Sequence, residues 1–194
     1  MPERCFLALS LSRPVVASLE RAQAAFIAAA PGWAGEKWVS GGLLHVTLEF
    51  LGPMDEQGTD TLVRHMEAVA AGTPGFDIRL KSVEAVPSTR HASMLWASLR
   101  DPAGAVTGLR ERLLAATARP CEPARLFRPH ITLVRARRPR PVPPDALNAA
   151  QQIVSEAGKG TDGIMSVRSV TLFSSTLTAA GPEYRMIAIG MLAR

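Results

Sequence analysis

The chain is short of cysteine, of lysine and of long apolar runs. Cysteine occurs only at Cys5 and Cys121, neither in a C-x-x-C, and no Cys/His cluster has zinc spacing. That removes a disulfide-stapled scaffold and a zinc module from consideration. Cys5 reads as a buried thiol in a strand, and Cys121 as a loop residue. No segment approaches the ~18–20 consecutive apolar residues that span a bilayer. The start, "MPERCFLALSLSRP", lacks a long apolar core and a cleavage site, so no membrane partner and a cytoplasmic location are expected. Neither half carries a glycine-rich dinucleotide or Walker loop, and no cofactor is expected.

What is present suffices for a core. The 194 residues are 47% hydrophobic, which fits one domain or two small lobes sharing a core. Lys+Arg number 22 and Asp+Glu 17, a net charge of +5, with lysine only at Lys37, Lys81 and Lys159. This mild excess suits an anionic ligand such as a nucleotide or an RNA end. The densest basic patch, "RARRPRP" at 135–141, reads equally as a solvated loop or a polyanion contact.

Hydrophobic periodicity divides the chain into short elements. Strands are expected at 4–11, around Trp38, and at 43–51, 76–86, 94–100, 130–135, 164–173 and 184–190. Helices are expected at 14–30, 57–71, 102–118 and 144–158. Pro14 opens the first helix, with Val15, Leu19, Ala22 and Phe26 near helical spacing. The order is too irregular for a doubly wound parallel sheet. The expected fold class is α+β, with two mostly antiparallel sheets and helices outside. No linker separates independent domains, so residues 1–194 read as one bilobal domain whose halves look like a divergent duplication. A monomer is expected.

The chain has four histidines, and two of them stand in one pattern: "HVTLEFLG" at 45–52 and "HITLVRA" at 130–136. With 12 threonines and 21 leucines in the chain, two chance His-x-Thr-Leu matches have a probability of about 3 in 10,000. Residues two apart on a strand share a face. His45 and Thr47 therefore share one face, with Glu49, while Val46, Leu48 and Phe50 take the other. His130 and Thr132 pair likewise, opposite Ile131 and Leu133. An imidazole and a hydroxyl facing a core would need buried partners; facing a shared cleft avoids that requirement. Two facing imidazoles suit acid–base chemistry, one neutral and accepting a proton while the other is protonated and donates. In-line attack on phosphorus needs a base beside the incoming water and an acid beside the leaving oxygen. Threonine hydroxyls can donate to the phosphate oxygens. No metal is required, and the two motifs would supply only two histidine ligands.

These motifs resemble those of the two-histidine phosphoesterase superfamily, in particular its RNA 2',3'-cyclic phosphodiesterase branch, also called 2'-5' RNA ligase-like. "RCFLALSL" is similar to the family's first strand, "LFRPHITLVRA" to the second motif with its flanking Arg128, Pro129 and Arg135, and "LFSSTLTAAGPEYR" to the closing segment. The resemblance implies a bilobal α+β fold with a cleft between two sheets. It implies hydrolysis of a terminal 2',3'-cyclic phosphate, on RNA ends or nucleotides, to a 2'-phosphomonoester. By motif order His45 would be the proton donor, His130 the proton acceptor, and Thr47 and Thr132 the phosphate-binding hydroxyls. Arg135 would stand either at the phosphate or in a salt bridge within the fold.

Other readings stay open at this level. The same pair could join RNA halves by directing a 5'-hydroxyl instead of water, or the cleft could bind RNA ends without turnover. Arg90 and His91 read as solvated, and His65 as a surface residue of a helix. Phe6, Trp38 and Phe127 are candidates for aromatics at the cleft rim.

Overall fold

The computed structural model describes residues 3–115, 127–178 and 181–193. Among these are nine strands and four α-helices. In chain order they are β1 (Glu3–Ser10), α1 (Arg13–Ala29), β2 (Lys37–Trp38), β3 (His45–Met54), α2 (Glu56–Ala71), β4 (Phe76–Val86) and β5 (Ala92–Arg100). There follow α3 (Ala105–Ala115), β6 (His130–Arg140), α4 (Pro144–Lys159), β7 (Ile164–Val167), β8 (Ser169–Thr178) and β9 (Gly181–Met191). Among the described residues, no helix is long and apolar enough to cross a membrane. Cys5 is buried, while Cys121 lies outside the described residues, as does the end of the helix expected over 102–118.

The two expected sheets are two halves of one hydrogen-bonded sheet. The strand order is β7-β4-β5-β6-β3-β1-β8-β9, with β2 added on β6. Every pairing between named strands is antiparallel. The halves meet at a single residue pair, Val46 with Ile131. These are the middle residues of the two His-x-Thr motifs. Helices α1 and α4 pack together behind the first half, while α2 and α3 back the second.

The helix faces follow the apolar spacing. Val15, Leu19, Ala22 and Phe26 are all buried. Asp55 caps α2 by accepting from the Gly58 amide at 2.8 Å, satisfying one of the free N–H groups of the first turn. One glycine records a close approach: a Cβ on Gly158 of α4 would lie 2.1 Å from the Leu80 carbonyl oxygen of β4. Gly158→Ala is therefore expected to lower stability by roughly 1–3 kcal/mol through overpacking, read as a lower denaturant midpoint with unchanged slope.

One expected strand divides. Residues 164–173 form the whole of β7 and the first half of β8, with only Arg168 between them. β7 pairs with β4 and β8 with β1, so consecutive strands serve opposite ends of the sheet path and the sheet must curl. The basic patch is also not a loop. It lies on β6, where Arg137 donates to the Gly35 carbonyl and Arg140 to Gly32 and Glu36. These arginines tie the end of β6 to the 31–36 turn. Arg90 and His91 are exposed, as expected. His65 differs: its Nε2 is buried, with no hydrogen-bond partner among the described residues.

Candidate active site

The single pair Val46–Ile131 fixes the geometry of the site. Both residues are fully buried on the helix side. In an antiparallel pair their neighbours stand opposite one another. His45 thus lies across from Thr132, and Thr47 across from His130. All four line one notch of about 60 Å³, together with Phe50, Arg135 and Tyr184. The notch has space for a phosphate-sized group and little more.

The two motifs are matched in detail. His45 Nδ1 lies 2.7 Å from the Leu43 carbonyl oxygen, and His130 Nδ1 lies 2.7 Å from that of Arg128. A carbonyl only accepts, so Nδ1 carries the proton in each ring, and in the neutral form Nε2 holds the lone pair. His45 Nε2 lies 3.0 Å from the Thr47 hydroxyl. Burial lowers both histidine pKa values from the ordinary 6.5; the bonds to Leu43 and Arg128 oppose this, and the positive charge of Arg135 adds to the lowering. The other histidine further lowers His45, and Arg128 further lowers His130. Burial raises the Tyr184 phenol, against the charge of Arg135.

A chemistry that needs one neutral and one protonated imidazole loses its base when acid protonates both and loses its acid when alkali deprotonates both. With both values lowered, kcat/KM on a cyclic phosphodiester is expected to peak below pH 6.5. Arg135→Gln removes a charge that lowers both, so both limbs should move upward in pH. A pH–rate profile of the free enzyme checks this, reporting values that belong to the pair. Unmoved limbs in the variant would remove Arg135 from the account.

Each motif strand carries a β-bulge directly after His-x-Thr. On β3, Thr47 pairs with Ala8 but Glu49 pairs with Leu7, leaving Leu48 as the extra residue. On β6, Thr132 pairs with Trp96 but Val134 pairs with Leu95, leaving Leu133 extra. An extra residue reverses the alternation beyond it. This corrects two sequence expectations. Glu49 turns away from His45 and Thr47 and forms an ion pair with Arg110 of α3. Phe50, expected opposite, joins the cleft face and is 68% exposed. On the second strand the same reversal brings Arg135 into the notch. Arg135 is exposed there and has no ion-pair partner among the described residues. Phe50 and Arg135 thus hold equivalent positions, each five residues after its histidine.

Each bulge carbonyl is held from behind by a buried polar side chain. Arg110 Nε donates to Leu48 O at 3.0 Å, and Gln23 Nε2 of α1 donates to Leu133 O at 3.0 Å. Neither residue carries a sequence signal, because polar residues on a helix ordinarily read as its solvated face.

The walls of the notch are aromatic, but not with the residues expected. Phe6 is buried beneath His45, ring centroids 5.1 Å apart. Trp38 packs on Phe26, and Phe127 lies under the Arg110 guanidinium. The rim is formed instead by Phe50 and by Tyr184, whose ring meets His45 edge-on at 5.5 Å. On the other side Trp96 packs against His130 at 4.1 Å. Glu84 accepts from Trp96 Nε1 and pairs with Arg128, which lies over the Trp96 ring.

Comparison with known proteins converges on one family. The model of the 2'-5' RNA ligase superfamily matches residues 17–176. An RNA 2',3'-cyclic phosphodiesterase of Aquifex aeolicus is 25% identical over 154 residues, 78% of this chain and 79% of the relative. One of Methanothermobacter thermautotrophicus is 26% identical over 184 residues, 95% of this chain and 96% of the relative. Among solved structures, E. coli LigT complexed with 3'-AMP shares the fold, with a TM-score of 0.72 at 22% identity, covering 100% of this chain and 99% of that one.

Proposed function

Because the chain belongs to the 2'-5' RNA ligase superfamily, we propose that it hydrolyses the terminal 2',3'-cyclic phosphate of RNA or nucleotides to a 2'-phosphomonoester. The observation that carries this reading is the square of two imidazoles and two hydroxyls around a notch of about 60 Å³. The names of the relatives point the same way.

The reaction needs four things of the chain. His130 Nε2, neutral, takes a proton from water as the water oxygen bonds to phosphorus. His45 Nε2, protonated, gives its proton to the 3'-oxygen as the P–O3' bond breaks. The ring ends with the 2'-ester intact, and each histidine returns to its starting state by exchange with solvent. Thr47 and Thr132 donate hydrogen bonds to the non-bridging oxygens, where negative charge builds in the transition state. Arg135 adds a positive charge at the same place. The Nδ1 bonds to Leu43 and Arg128 keep both Nε2 atoms in the reactive role.

A ligase would use the same four groups but replace water with a 5'-hydroxyl. The two reactions separate in one tube. RNA ending in a 2',3'-cyclic phosphate is incubated in EDTA with an excess of 5'-hydroxyl RNA. Shortfall of joined product against hydrolysed product supports the hydrolase; accumulation of a 2'-5' joint would replace it with the ligase.

A further inference from the structure

The two motif histidines are supported differently. The His45 ring packs on the buried Phe6, and its Nδ1 partner, Leu43, belongs to the short helical turn Gly41–Leu43. Both supports of His130 are nearer the surface. Its Nδ1 partner is the carbonyl of Arg128, within residues 127–129, which lie outside any helix or strand. Its ring packs on Trp96, which is only partly buried. Both supports converge on one carboxylate. Glu84 Oε2 accepts from Trp96 Nε1 at 3.2 Å and from the Arg128 guanidinium at 2.7 Å. Glu84 Oε1 accepts from the Ser82 hydroxyl at 3.2 Å, and that hydroxyl is also bonded to the buried Ser98 hydroxyl. The sheet register produces this convergence. Ser82, Ser98 and His130 stand in one row across β4, β5 and β6, and Glu84, Trp96 and Thr132 stand in the next. Cross-strand neighbours on one face touch, so the polar face of the second motif continues over two further strands. Burial would raise the Glu84 carboxyl, but the serine and indole bonds and the charge of Arg128 hold it below the ordinary 4.5. Glu84 is therefore an anion wherever the histidines titrate. Burial lowers the His130 pKa and the bond to the Arg128 carbonyl raises it; among the charges of the described residues, Arg135 and Arg128 lower it and Glu84 raises it. His45 of β3 and Tyr184 of β9 line the same notch, and Arg100 lies further along β5.

We propose that Glu84 is a positioning residue for the cyclic phosphodiester chemistry: through Trp96 and Arg128 it holds the His130 imidazole against rotation, and its charge offsets that of Arg128 beside the ring. This rests on the hydrolase reading and deepens it. Glu84 itself meets no reacting atom. It keeps His130 Nδ1 on the Arg128 carbonyl and leaves Nε2 for the notch. A ring free to turn would spend part of its time with Nε2 away from phosphorus, and small misplacements of a reacting group are costly.

Two variants of the full chain test this. Glu84→Leu removes both the acceptor and the charge, and Glu84→Gln keeps an acceptor and removes the charge. The kcat and KM are measured on adenosine 2',3'-cyclic phosphate, and NMR signals of the ring nitrogens of His45 and His130 are followed against pH. In Glu84→Leu the kcat is expected to fall by up to about 100-fold with KM unmoved, the scale of a lost orienting contact. The His130 ring, held as the Nδ1–H tautomer in the wild type, then shows a mixture of tautomers, while His45 keeps its single form. Glu84→Gln recovers most of the kcat and the single tautomer. In both variants the His130 midpoint falls, because the charge that favours its protonated form is gone, and the His45 midpoint moves less. An unmoved kcat with a single His130 tautomer in Glu84→Leu would overturn the proposal. So would an unmoved His130 midpoint in Glu84→Gln, the result that decides should the leucine variant not fold. The ring signals need no turnover, which separates this failure from failure of the hydrolase reading. An inactive wild type whose His130 tautomer and midpoint still depend on Glu84 keeps the positioning role and removes the hydrolase. An active wild type whose His130 is indifferent to Glu84 keeps the hydrolase and removes the positioning role.

Discussion

Replacing His45 or His130 with alanine is expected to lower kcat/KM on a 2',3'-cyclic phosphate by ~10²–10⁴ each, the usual worth of one proton-transfer group. The double variant should be little slower than the worse single one. Acid and base act in one concerted step, and groups that act as a unit are not additive. Thermal unfolding of all three should stay close to wild type, since each imidazole lies on the cleft face and its strand is anchored by the buried Val46 and Ile131. Steady-state rates with matched unfolding curves check both halves. Two single variants whose losses multiply in the double would mean that the histidines act independently, contrary to an acid–base pair.

The second large effect is on stability. Arg110 is 2% exposed and is held by Glu49, by the Leu48 carbonyl and by the Phe127 ring. Arg110→Met leaves the Glu49 carboxylate and the bulge carbonyl without that donor. Breaking a buried pair from one side costs about 3–5 kcal/mol. Glu49→Leu added to Arg110→Met should recover part of the loss, because the stranded charge is gone. Activity should not recover with it: the Leu48 carbonyl still lacks the Arg110 donor that holds the bulge, and the bulge sets the phase of Phe50. Chemical denaturation beside kcat/KM for the single and double variants reads both. A loss under about 1 kcal/mol for Arg110→Met would class the pair with surface ion pairs.

Much of this was legible in the sequence. The repeated His-x-Thr carries the site because a period of two places His and Thr on one face whatever the rest of the fold does. The first helix announces itself through Val15, Leu19, Ala22 and Phe26. The departures on the two motif strands share one cause: strict alternation does not hold past an extra residue. Leu48 and Leu133 are extra residues in their strands, and nothing local distinguishes an apolar bulge from an apolar strand residue. Beyond them Glu49, Phe50 and Arg135 each took the opposite face from the one alternation gives. The only trace is the adjacent apolar pair Leu133–Val134. The break at Arg168 has little to announce it: "IMSVRSVTLF" contains no glycine or proline, only the adjacent polar pair Arg168–Ser169, and the switch between sheet ends depends on which partner strands wait there. Arg110 and Gln23 are silent because their partners are main-chain carbonyls about 60 and 110 residues away.

The most direct test of the central claim is the identity of the product. The purified chain is incubated in EDTA with a short RNA ending in a 2',3'-cyclic phosphate, and the 2'- and 3'-phosphate products are separated. The account predicts the 2'-phosphate alone, with the 3'-oxygen leaving under protonation by His45 and with product lost in His45→Ala and His130→Ala. A 3'-phosphate product, or turnover that survives both substitutions, would contradict it.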